Sequence, residues 1–167
     1  MAERTFAVIE ALALALWIGA LAGFAFVFAP TAFAVVTNLD RFAELIATTV
    51  THLNALGYWC GGIALVAIVL RNREDAALGR STAIRAIAVL VMLALVFVEG
   101  HFIVPAMADA QRAFGGSFAA VPNLDPRRVR YDDLHRISSV CYGLVLLLGS
   151  VTLAFGVVTR PAAVLRR

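Results

Sequence analysis

One hundred and sixty-seven residues, 62% of them hydrophobic and 15% charged, with a mean hydropathy of +0.89, do not describe an ordinary water-soluble domain. Soluble domains run at about half apolar and a quarter charged, so disorder, collagen, coiled coil and a disulfide scaffold are excluded together. The net charge of +3 rests on 14 basic residues, all of them arginine, in short clusters between apolar runs. That distribution belongs to a membrane protein rather than to a nucleic-acid binder, and the lack of lysine removes Schiff-base chemistry and any lysine-dependent phosphate loop.

The first apolar run carries no charge from Ala11 to Val36, long enough to cross a hydrocarbon core of about 30 Å. Glu3 and Glu10 stand where a secretory signal would carry positive charge, so the segment reads as a helix of the mature protein. Thr37 to Arg41 is a short link, which makes the first two helices antiparallel neighbours, with Asn38 or Asp40 capping the second. The second run is uncharged from Leu45 to Leu70, and the third, from Ala86 to Ala108, is interrupted by Glu99 and His101. The longest link, Pro105 to Asp133, is expected to extend as helix over Ala106 to Phe114, break at Gly115-Gly116, and restart at Asp125-Pro126. The fourth run is uncharged from Ile137 to Thr159. Period-two alternation is absent, and no internal repeat is evident.

These runs predict an all-α, integral membrane four-helix bundle. It is one domain over residues 1–167, with spans near 6–36, 43–70, 82–108 and 134–159 and an outer loop at 109–133. Four crossings put both termini on one side. That side holds Arg4, Arg71, Arg73, Arg80, Arg85, Arg160, Arg166 and Arg167, against Arg41, Arg112, Arg127, Arg128, Arg130 and Arg136 on the other. The excess places the termini in the cytoplasm and the protein in the cell (inner) membrane. Gly19 with Gly23, and Gly57 with Gly61, have the spacing that lets membrane helices approach closely. Cys60 and Cys141 form no CxxC and read as packing residues.

Candidate chemistry gathers in the outer half. A carboxylate in an apolar helix, Glu99, faces the interior, water or a partner; an ion pair with Arg136 or Arg130 is its structural alternative. His52, His101 and His135 fall on three helices toward one end, and neutral imidazole ligates iron, copper or zinc. A site drawn from His52, His101 and Glu99 would hold a transition metal, and one drawn from His52, His101, His135, Trp59 and Tyr142 a haem. Glu99 and His101, two residues apart, point about 200° from one another on a straight helix, so both cannot serve one interior metal. His135, Ser138, Ser139 and Tyr142 form one helix face opposite Thr48, His52 and Asn54, readable as interhelical hydrogen bonding or as a pocket for an ion, cofactor or quinone head group. Trp17 and Trp59, both deep in their spans, read as core filling or as contact with a flat cofactor.

The segment Leu134-His135-Arg136-Ile137-Ser138-Ser139-Val140-Cys141 resembles the His-x-x-Ser signature of the transmembrane-protein-205-like family of small four-span membrane proteins. Trp17-Ile18-Gly19 followed by Ala29-Pro30-Thr31-Ala32-Phe33 is similar to its bacterial members, and Glu99 through Pro105 resembles the family's acidic residue and proline. The resemblance implies the four-helix fold and a polar outer end containing His135, and no activity. His52 and His101 have no match in the family pattern.

Two functions follow as expectations. The first is a membrane protein that binds a metal or haem near its outer face through histidines on neighbouring helices, with no catalysis of its own. The second is a non-catalytic accessory subunit of a larger membrane complex. Either way its partners are the lipid bilayer and other membrane subunits or further copies of itself, not nucleic acid.

Overall fold

Proline lacks the N–H that an α-helix needs and crowds the carbonyl four residues earlier, and two prolines shape this bundle. The computed structural model describes residues 2–71 and 79–158. The first span is α1 (Ala2–Gly23), a π-helical turn at Phe24–Phe28 and α2 (Ala29–Val35); the second is α3 (Leu39–Arg71). The third span is α4 (Arg80–Val98), a π-helical turn at Glu99–Ile103 and α5 (Val104–Ala113); the fourth is α6 (Pro126–Val158). Pro30 and Pro105 each lie just beyond a π-turn. The residue before each proline donates five residues back, Ala29 N–H to Phe24 and Val104 N–H to Glu99. Widening the helix there relieves the proline without breaking the span.

All four spans are long and apolar enough to cross a membrane, and the protein is a multi-pass membrane protein. Asn38 caps α3, its Oδ1 accepting the N–H groups of Asp40 (2.9 Å) and Arg41 (3.0 Å). Asp40 instead reaches the loop, where its Oδ1 accepts the Phe118 N–H at 2.8 Å. The loop turns at Gly115 and Gly116, whose φ of 81° and 77° suit glycine alone. It then packs Phe114, Phe118 and Val121 against Ala43 and Tyr131. Arg128 donates to the carbonyls of Phe118 and Val121, each at 3.1 Å. The helix restarts at Pro126 behind Asp125, as its sequence requires. Of the arginines counted for orientation, Arg73, Arg160, Arg166 and Arg167 lie outside the described residues.

The helices pack in a ring, α1 on α3, α3 on α4, α4 on α6 and α6 on α1. Inside it sit Leu14, Trp17, Leu21, Ala64, Ile68, Val89, Met92, Val96 and Val145. Contrary to the sequence expectation, the ring is one hairpin used twice. A shift of 75 residues lays Glu10 on Arg85, Leu14 on Val89, Trp17 on Met92 and Leu21 on Val96, every one of them buried, and lays one π-turn on the other and Pro30 on Pro105. A shift of 88 lays Val50 on Ser138, Asn54 on Tyr142, Gly61 on Gly149 and Ala64 on Thr152. The contacts are reciprocal. A Cβ on Gly61 would meet Leu93 at 2.6 Å and Trp17 at 3.0 Å, and one on Gly149 would meet the equivalent Ile18 at 2.8 Å and Met92 at 2.9 Å. Both hairpins begin at the same end, so the approximate two-fold axis runs along the bundle, as in parallel-repeat membrane proteins.

Candidate functional site: two buried carboxylates

Positions 89, 92, 96, 99 and 103 of the third span follow a three-four spacing that keeps one face inward. Four of them carry Val89, Met92, Val96 and Ile103, and the remaining one carries Glu99. Its residue is 1% exposed. It lies about 20 Å beyond Ala86 and about 14 Å short of Ala108 at 1.5 Å per residue, inside the apolar stretch. Ser138 Oγ on α6 donates to Glu99 Oε1 at 2.5 Å, while Oε2 is buried without a hydrogen-bond partner. Among the described residues no arginine or histidine forms an ion pair with it, so neither Arg136 nor Arg130 plays the part expected of it; Arg136 lies 3.7 Å from Asp133.

Further hydroxyls and an amide stand beside this carboxyl. Tyr142 Oη donates to Asn54 Oδ1 at 2.6 Å, joining α6 to α3 across the pseudo-axis. Tyr58 Oη donates to the Val96 carbonyl at 3.4 Å. Gly100, next in the π-turn, lies against these groups; a Cβ there would stand 3.4 Å from Asn54 Nδ2 and 3.6 Å from Tyr58 Oη. Cys141 and Tyr142 lie within electrostatic reach of Glu99. Among the described residues, the titratable groups coupled to Glu99 are Cys141 and Tyr142 on α6, neither of them cationic.

The second buried carboxylate is at the end of the bundle where α1 begins. Arg85 Nη1 donates to Glu10 Oε1 at 2.5 Å, both side chains 4% exposed, and Arg71 Nη1 stands 3.6 Å from Glu10 Oε2. Arg71 also reaches the exposed Glu3 at 3.9 Å. Gly156 on α6 lies beside these side chains; a Cβ there would be in ordinary contact, 3.6 Å from Glu10 and 3.7 Å from Arg85. This cluster escaped the sequence reading, which took Glu10 as a flanking charge and Arg85 as one of the arginines that set orientation. The signal was present: Glu10 with Leu14, Trp17 and Leu21, and Arg85 with Val89, Met92 and Val96, have the same inward spacing.

The predicted ligand set is not gathered. His52, His101 and His135 are all exposed. His101 stacks on Phe97 with ring centroids 4.2 Å apart, and its Nδ1 lies 3.1 Å from the Phe97 carbonyl of its own helix. Among the described residues, no group of three or more His, Cys, Asp or Glu side chains is placed to hold a metal. Glu99 turns inward and His101 outward, the opposite of an inward histidine. On the α6 stripe, Ser138 and Tyr142 face neighbouring helices, whereas Ser139 bonds the His135 carbonyl at 2.9 Å and both are exposed. Trp17 fills the core at 1% exposure, and Trp59 points out of the bundle at 74%. Cys60 is buried and Cys141 partly so, both free.

A family model described as a domain of unknown function (DUF4149) matches residues 12–114. The match covers most of the first three spans and stops short of the Leu134–Cys141 segment. No curated protein and no solved structure matches the chain.

Proposed function

The chain belongs to the DUF4149 family, and we propose that it is a proton-binding membrane protein whose working group is the Glu99 carboxyl. The observation that carries this is a carboxyl in the apolar part of a span, 1% exposed, with no cationic partner among the described residues and one oxygen left without a hydrogen bond. An ionised carboxylate in that position costs several kcal/mol, and such residues within membranes mark ion or proton sites by default. The serine bond serves both forms: the hydroxyl donates to the carboxylate, and a carboxylic acid can donate to the hydroxyl oxygen.

The repeat adds support. The equivalents of Glu99 and Ser138 in the first hairpin are Phe24 and Val50, both apolar. The fold therefore closes without a carboxyl at this place, and the polar pair is an addition confined to one half. The Glu10–Arg85 pair contrasts with it, since each of its charges already has a counter-ion.

Dicyclohexylcarbodiimide, which couples to carboxyl groups in apolar surroundings, is the probe. Peptide mapping after treatment in membranes is expected to find the adduct on Glu99 and not on Glu10, with labelling falling as the pH is raised. Labelling confined to Glu10, or none on Glu99 at any pH, would overturn the reading.

A metal or haem held by histidines would draw on His52, His101 and His135, all of them exposed. Stoichiometric iron, copper or zinc in protein purified without added metal, lost in a His52→Ala/His101→Ala variant, would displace the proton reading. From the arginine count we further propose that the termini lie in the cytoplasm; a C-terminal reporter active only outside the cell would reverse that orientation.

A further inference from the structure

An open groove between α1 and α3 has a volume of about 460 Å3. Phe6 and Ile9 line it from α1, and Tyr58, Trp59, Gly62 and Leu70 from α3. It runs along the outside of the bundle from Tyr58, midway along α3, to Leu70 at the end where α1 begins. At 1.5 Å per residue its length is about 18 Å, close to the half-thickness of a hydrocarbon core of about 30 Å. A groove of one leaflet's depth, lined by apolar side chains and at its deep end by Tyr58 and Trp59, has the length of a single acyl chain.

Two features distinguish it from the general lipid-facing surface. It opens at the end where Arg71 follows directly on Leu70 and the exposed Arg4 stands two residues before Phe6; Arg71 and Arg85 are engaged by Glu3 and Glu10, which leaves Arg4 as the cation in excess. Juxtamembrane arginines attract anionic headgroups at the membrane surface. The groove is also not a by-product of the repeated hairpin. Gly62 and Ala67, whose smallness leaves the space, correspond to Ser150 and Phe155 in the second hairpin, and Trp59 corresponds to Leu147.

We propose that this groove is a binding site for one anionic phospholipid from the leaflet at the α1 end, its acyl chain lying from Leu70 to Trp59 and its phosphate at the mouth beside Arg4 and Arg71. The site is separate from the Glu99 carboxyl and does not depend on the reading of it.

Trp59 reports on the groove directly, because it is 74% exposed while Trp17 is 1% exposed and shielded from lipid. The full chain is reconstituted in phosphatidylcholine vesicles containing a small fraction of either phosphatidylglycerol or phosphatidylcholine with dibrominated acyl chains, and tryptophan quenching is compared. Trp59→Phe gives the Trp17 background. The brominated phosphatidylglycerol is expected to quench at least about twofold more than the brominated phosphatidylcholine at equal mole fraction. Gly62→Leu fills the groove, and a Cβ at Gly62 meets nothing within 4 Å; in that variant the excess should vanish. Equal quenching by the two lipids would reduce the groove to ordinary lipid contact. Excess quenching that survives Gly62→Leu would place the lipid elsewhere, and no quenching by either lipid would mean that a protein surface covers Trp59. Each of these three results overturns the proposal.

Discussion

Replacing Arg85 by methionine would leave the Glu10 carboxylate buried beside Arg71 alone, at 3.6 Å. Removing one member of a buried pair costs about 3–5 kcal/mol, whereas replacing both with apolar residues of similar volume is often neutral. Arg85→Met is therefore expected to lower stability by about 3 kcal/mol in detergent unfolding, and Glu10→Met/Arg85→Met by much less. A double variant as unstable as the single one would mean that the charges themselves are needed. At the other end of the bundle, Asp125 is held down to a pKa of about 2 by its side-chain hydrogen bonds with Arg127, aided by the Arg127 N–H. Its folded-state pKa is depressed, so its contribution is complete above the usual aspartate value of about 3.9 and is lost as pH falls toward 2. Amide exchange in the first turn of α6 is expected to quicken across that window in the wild type, and to show no such step in Asp125→Asn. At this scale the sequence was partly legible. It located Glu99 as the costly residue, yet the direction of a side chain depends on which stripe faces the core. Continuing the spacing of Val89, Met92 and Val96 selects Glu99 over His101; the histidines drew attention as metal ligands, a chemistry that needs convergence rather than presence.

The elements themselves follow from charge-free length, proline and glycine. Pro30 and Pro105 stand in the sequence, but residue type alone does not say that each is met by a π-turn within a continuous span. The glycine pairs divide in a way that spacing alone does not decide. A Cβ on Gly57 would meet the Trp17 indole at 2.9 Å and one on Gly61 would meet Leu93 at 2.6 Å, while Gly19 and Gly23 have nothing within 4 Å. Gly57→Ala is expected to destabilise by about 1–3 kcal/mol, since a rigid ring must move. Gly19→Ala and Gly23→Ala should be neutral or stabilising, because alanine favours helix over glycine by up to about 1 kcal/mol. Thermal unfolding of the set in one detergent checks this, and equal losses at all positions would show that the α1–α3 contact is wrongly placed. The loop was also legible in outline, with its Gly115-Gly116 break and Asp125-Pro126 start. Its anchoring was not, because the Asp40 bond to the Phe118 N–H and the Arg128 bonds to two carbonyls join residues far apart in sequence.

For the whole molecule, four spans could be counted from composition, but the repeat could not be read. Equivalent positions share burial and contact rather than residue type: Trp17 answers to Met92, Asn54 to Tyr142 and Glu10 to Arg85. The longer linker before α6 also divides the correspondence into two shifts, so no single period spans the chain. Once the two halves are aligned by these two shifts, the differences between them become informative, because whatever the fold requires should recur. The buried stripe, the π-turns and the Gly61–Gly149 approach recur, and the Glu99–Ser138 pair does not. The account therefore rests on Glu99 carrying a proton that the bundle does not need for closure. Infrared difference spectra between acid and alkaline pH, recorded on the protein in lipid, test this most directly. The predicted result is a protonated-carboxyl stretching band that is lost in Glu99→Gln and kept in Glu10→Gln, with both variants folded. A band that is unchanged in Glu99→Gln, or that disappears only in Glu10→Gln, would contradict the account.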